Sequence, residues 1–157
     1  MKKLLSYLLV IALVLVQFVS VANAATITIE NSVVNQTYSA YKIFDVTKNG
    51  TAHAYSIQTT NEWYNDVVKY ASQENSGLIL TTSTDGVTVV VEVTTNTFDA
   101  AKFAKYLDTK KANKTADKTE AGTGETIQIE DLAPGYYFVD STLGTLCILN
   151  TTDAEQI

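Results

Sequence analysis

Tyr38-Ser39-Ala40-Tyr41-Lys42-Ile43-Phe44-Asp45-Val46 is the stretch on which the fold turns. Aromatic and β-branched side chains of this kind suit a half-buried pleated surface. A period of two places Tyr41, Ile43 and Asp45 on one face and Lys42, Phe44 and Val46 on the other. Asn49-Gly50 is a turn signal, and residues 52–57 read as the returning strand of a hairpin. Upstream, residues 25–30 alternate apolar and polar as Ala-Thr-Ile-Thr-Ile-Glu, a further strand.

Downstream the period changes. Residues 61–71 place Trp63, Val67 and Tyr70 at helical spacing, with Asn61 as the expected N-cap. Residues 78–81 and 87–93 return to strand character around Asp85-Gly86. The second of these is nearly all β-branched, which points to a strand covered on both faces. Residues 97–107 read as a second helix, with Thr97 as cap and an apolar stripe of Ala100, Phe103, Ala104 and Leu107. Residues 109–124 have little apolar content and four lysines, and read as an exposed loop. Strands at 125–129, 135–141 and 145–150 finish the chain, with a turn at Pro134-Gly135. Strands dominate without regular alternation with helices, so the expected fold is mainly β: a β-sandwich with two short helical insertions.

The first 24 residues read as a secretory signal peptide. Lys2 and Lys3 form a positive start, an apolar run follows, and Ala22-Asn23-Ala24 supplies small residues for cleavage between Ala24 and Ala25. The competing reading is a retained anchor, since the run approaches the length of a membrane span. Residues 25–157 are one domain's worth of chain. Without Lys2 and Lys3 they carry nine lysines, no arginine and 17 acids, a formal charge of −8. That balance excludes a nucleic-acid binder, which needs a positive footprint. It also leaves no polybasic patch for a membrane surface after cleavage.

Catalytic equipment is sparse. His53 is the only histidine, so any triad would have to rest on it, and a strand histidine is more often structural. Cys147 is the only cysteine; it cannot form an internal disulfide and sits in an apolar run, as a core residue does. One Cys and one His cannot close a zinc site, and no phosphate-binding or calcium loop appears. No cofactor or metal is expected. Acid–base work without histidine would need paired carboxylates in a cleft. Glu130-Asp131 is the only adjacent acidic pair, and it precedes a turn. The chain is therefore expected not to be an enzyme. Four sequons, at Asn35, Asn49, Asn113 and Asn150, matter only in a glycosylating host.

Two segments are more specific: residues 38–46, quoted above, and Ile129-Glu130-Asp131-Leu132-Ala133-Pro134-Gly135-Tyr136-Tyr137-Phe138-Val139-Asp140. In this order, behind a signal peptide, the chain resembles the N-terminal domain of Gram-positive sortase-assembled pilins, the fimbrial backbone or shaft subunits. The early motif is similar to the family's Y-x-A-Y-K-I-F and the later one to L-x-P-G-Y-Y-x-V, followed by Ser141-Thr142-Leu143-Gly144-Thr145. The resemblance covers residues 25–152 and implies an Ig-like, Cna-type sandwich. It implies other pilin subunits and a sortase as partners, at the cell-wall surface.

The same resemblance implies an intramolecular isopeptide bond from a strand lysine to an Asn or Asp on the last strand, assisted by an acid. A lysine buried among apolar groups loses its charge and becomes nucleophilic, while a buried acid keeps its proton and can polarise an amide. Lys42 matches the lysine, with snorkelling from a strand edge as the alternative. Asp140 stands near the assisting acid, with an ordinary turn Asp as its alternative. Asn150 is available as acceptor but early. The chain shows no pilin-motif lysine and no sorting signal, and is expected to be an N-terminal fragment. The other functional class is an accessory adhesin contacting a host protein or glycan, for which Trp63, Tyr64 and Tyr70 could supply an aromatic surface; core packing explains Trp63 more simply.

Overall fold

In a computed structural model, residues 24–49, 52–144, 146–150 and 155–156 are described, with side chains at 48–49, 146–150 and 155–156 left aside. The expected signal peptide, save Ala24, lies outside them. The strands are β1 (Ala25–Ile29), β2 (Thr37–Asn49), β3 (Ala52–Gln58), β4 (Leu78–Thr82), β5 (Thr88–Val93), β6 (Lys118–Ala121), β7 (Ile127–Leu132), β8 (Gly135–Ser141), β9 (Leu146–Asn150) and β10 (Glu155–Gln156). The helices are α1 (Tyr64–Ala71) and α2 (Ala100–Asp108), and a 3-10 turn spans Lys111–Asn113.

The 13-residue β2 organises everything. Its whole length serves a seven-stranded sheet in the order β4-β5-β3-β2-β8-β9, with β6 added beside β2. Asp45 to Asn49 pair with β3, giving the expected hairpin, and Thr37 to Ala40 pair with β6 on that same side. The other side pairs with β8 from Tyr38 to Asp45. A smaller sheet, β10-β1-β7, joins β1 antiparallel to β7 and parallel to β10.

The two faces of the large sheet bury different partners. On one, Tyr38, Ala40, Tyr137 and Val139 meet Ile27, Ile29, Ile129 and Leu132 of the small sheet. That packing of sheet on sheet is the β-sandwich the sequence implies. On the other, Tyr41, Ile43, Phe44 and Phe138 meet the helices through Trp63, Val67, Tyr70, Phe103 and Leu107. Phe103 lies 4.7 Å from Tyr70 and 6.1 Å from Phe44, ring centre to ring centre. Aromatic pairs at such spacing contribute about 0.5–1.5 kcal/mol each beyond their buried area. No described helix is long and apolar enough to cross a membrane.

Four local expectations are corrected. The N-cap of α2 is Asp99, not Thr97: its carboxylate accepts the Lys102 N–H at 2.9 Å. Asn61 precedes α1 without capping it; its Oδ1 accepts the Trp63 N–H at 2.7 Å in a turn, and the helix starts at Tyr64. β5 is covered on one face only, with Val89 and Val91 buried and Val90 45% exposed. Residues 109–124 are not a free loop: they contain the 3-10 turn and β6, and two of their four lysines, Lys111 and Lys114, are tied into the fold.

Candidate functional site

The two motif segments lie side by side. β2 and β8 pair antiparallel from Tyr38↔Ser141 to Asp45↔Gly135, and the register shifts between Lys42 and Phe44. Two residues of β2 thus oppose one step of β8, which makes Ile43 the extra residue of a bulge. The bulge breaks the period of two. Ile43 and Phe44 both enter the helix-side core, so Lys42 does not share a face with Phe44. It instead shares the face of its partner Tyr137, toward the small sheet.

Lys42 and Asp140 are consequently not brought together. Asp140 alternates with Phe138 and Tyr136, on the helix side. The Lys42 stem crosses Gly135, where an added Cβ would come within 2.7 Å of its Cδ. Its ammonium reaches Asp45 Oδ1 at 2.7 Å and the side chain keeps 24% of its exposure. Glycine at 135 leaves room for that stem. Asn150 stands in β9 opposite Tyr136, with β8 between it and β2. The side chains of Asn150 and Cys147 lie outside the described residues.

Asp140 is buried at the end of β8. Its Oδ2 lies 2.6 Å from Lys111 Nζ, which is also 2.6 Å from Asp108 Oδ1. Burial works against the Lys111 charge. Hydrogen bonds and charges from Asp108 and Asp140 outweigh it and raise the pKa of Lys111 above its usual value. The second Asp140 oxygen is buried without a hydrogen-bond partner among the described residues. Lys111 thereby pins the end of α2 to the end of β8.

A second anchored lysine, Lys114, lies beside a pocket. Between β6 and β3, the outer edge of β2 at residues 41–44 has no strand partner. Asp117 supplies the missing acceptor, its Oδ2 taking the Lys42 N–H at 2.6 Å. An open pocket of about 310 Å³ sits at this gap, lined by Lys42, Asn61, Glu62 and Trp63 and by residues 115–117. Lys114 stands next to it. Its ammonium pairs with Asp66 Oδ2 at 2.8 Å, donates to the Glu62 carbonyl and lies 5.0 Å from the centre of the Trp63 ring. The Glu62 carboxylate accepts the Thr115 N–H at 3.0 Å. The polar groups around the pocket thus fasten Lys114 and Thr115 to the start of α1, and Asp117 to β2.

These groups offer a lysine, an amide and carboxylates, but no hydroxyl or thiol beside a basic imidazole. His53 is exposed on β3 and does not line the pocket. Glu130 and Asp131 are exposed on β7. Among the described residues no cluster of three or more His, Cys, Asp or Glu side chains is placed to hold a metal ion. Trp63 and Tyr70 are each 1% exposed and Tyr64 is half-buried, so the aromatic surface considered for an adhesin is core. Burial, with the Asp99 charge, raises the pKa of the Tyr70 phenol.

Lys111, Lys114, Asp66 and Asp117 escape sequence reading. The Asp108-Lys111 spacing of three was a legible local pair; the Asp66 and Asp140 partners come from distant elements and carry no local signal. No family model matches this chain, and no curated protein matches it.

Proposed function

We propose that the chain is a structural cell-surface protein: the N-terminal domain of a pilus backbone subunit of a Gram-positive bacterium, secreted and joined by a sortase to other pilin subunits. One observation carries the reading. The two motifs that resemble the pilin family, far apart in sequence, form the adjacent central strands β2 and β8 of a sandwich. The signal peptide and the acidic, arginine-free composition agree with a role outside the cell. The pocket at the β2 edge is built from groups that hold the fold, which agrees with a structural rather than a catalytic role.

The alternative is an accessory adhesin of the same surface class, contacting a host protein or glycan. With Trp63 and Tyr70 buried, it lacks the aromatic surface that would have favoured it. Immunogold labelling of intact cells of the source organism separates these readings. Label spaced along fibres is expected. Label only at fibre tips or on the bare wall would favour the adhesin, and antigen found only in the medium would contradict both.

A further inference from the structure

Lysines are concentrated in one stretch of the helix layer, from α2 to β6, although that layer also carries the exposed acids Glu62, Glu74 and Asp99. Residues 100–118 hold six of the nine lysines that follow residue 24, with only Asp108 and Asp117 as acids. Lys111 and Lys114 are engaged by Asp108, Asp140 and Asp66. Lys102 and Lys105 are exposed on α2, on the side of the helix away from the buried Phe103, Ala104 and Leu107. Lys110 follows them, exposed, over the Tyr106 ring at 5.3 Å. No ion pair among the described residues engages these three.

The layer on the other side differs. β1, β7 and their flanks, residues 24–36 and 122–134, contain Glu30, Glu125, Glu130 and Asp131 and no lysine. All four acids are exposed. Glu130 shares the outer face of the small sheet with Gln128, because Ile127 and Ile129 point inward. The large sheet stands between this face and α2.

We propose that these surfaces are the two halves of a contact between copies of this chain, the lysine ridge of α2 in one molecule meeting the acidic outer face of the small sheet in the next. Each surface repels its own kind and attracts the other, so the partner it fits is a second copy turned to present the opposite layer. The contact is heterologous. Because the two surfaces lie on opposite sides, a bound copy still offers a free surface, and the association extends as a lateral stack rather than closing. Exposed pairs are individually weak and screened by salt. The contact therefore matters where copies are already held close together. It requires no covalent link between subunits and stands or falls separately from the pilus reading.

Sedimentation velocity of the purified protein tests this. At about 10 mM ionic strength, where the Debye length is about 30 Å, the sedimentation coefficient rises with protein concentration; at about 1 M, where it is about 3 Å, association weakens by about tenfold or more. K102E/K105E and E30K/E130K each remove the association, and mixing them at low ionic strength restores a complex. Two reversals shift the formal charge of −8 on residues 25–157 by four, to −12 and −4, so attraction between net charges cannot imitate the rescue. Unchanged circular dichroism shows that each variant folds. A protein that stays monomeric at about 10 mM, a variant that associates as the parent does, or a mixture that remains two monomers would overturn the proposal.

Discussion

Replacing Lys114 with alanine tests whether residues 109–124 are held as described. The substitution removes an ion pair whose side chains are 13% and 15% exposed, a donor to the Glu62 carbonyl and a cation over Trp63. Breaking a fully buried pair from one side costs about 3–5 kcal/mol. Here partial exposure screens the carboxylate left on Asp66, and the lost cation–π contact adds about 0.5–1 kcal/mol, for a total of about 2 kcal/mol. With a urea slope of about 1.5–2 kcal/mol/M, the midpoint falls by about 1 M. Trp63 is the only tryptophan, so its fluorescence reports both the transition and the altered surroundings of the ring. D66A strands the ammonium instead, and the double variant costs about 1–2 kcal/mol less than the two singles added. A K114A midpoint within about 0.5 kcal/mol of the parent, or strict additivity in the cycle, would refute the reasoning.

Three further outcomes follow from particular contacts. Gly77 has φ +71°, and an added Cβ would lie 2.3 Å from the Phe98 backbone nitrogen, so G77A costs at least about 2 kcal/mol in urea unfolding; a smaller effect than about 0.5 kcal/mol contradicts the geometry. Burial raises the phenols of Tyr136 and Tyr137 well above the ordinary tyrosine value, and Lys111 is also raised. In each case the folded state holds its proton longer, so the contribution is whole below about pH 10 and is lost as pH climbs through the folded values. Tm should fall above about pH 10 and fall less steeply in Y136F; a Tm flat to about pH 12 would count against this burial. Lys42 faces Asp45 rather than an acceptor on another strand, so trypsin digestion of the denatured protein should cleave after Lys42 and give unmodified peptides. A branched peptide containing Lys42 would show the crosslink instead.

Much of the fold was legible because it rests on local patterns. The alternation in residues 25–30 and the length of residues 135–141 mark β1 and β8 closely. The Trp63, Val67 and Tyr70 spacing marks the buried side of α1. What was missed depends on partners. A period of two cannot register the extra residue at Ile43, and that one residue carries Phe44 to the face opposite Lys42, which the spacing had placed beside it. β6 reads Lys-Thr-Glu-Ala with every residue exposed, so it has no polarity pattern and exists because β2 offers an edge. Val90 shows that a β-branched run suits an exposed strand face as well as a buried one. Lys111 and Lys114 looked like solvated charge because Asp140 and Asp66 lie in other elements. Thr97 carries a capping side chain, but the backbone turns helical only at Ala100, which gives the cap to Asp99.

The most direct test of the central proposal is an immunoblot of wall extracts from the source organism, boiled in detergent and probed with antibody raised against residues 25–157. A pilus backbone subunit joined by a sortase gives a ladder of detergent-resistant species reaching high mass, and the ladder collapses to monomer when the sortase gene is deleted. A single monomeric band in both strains would contradict it.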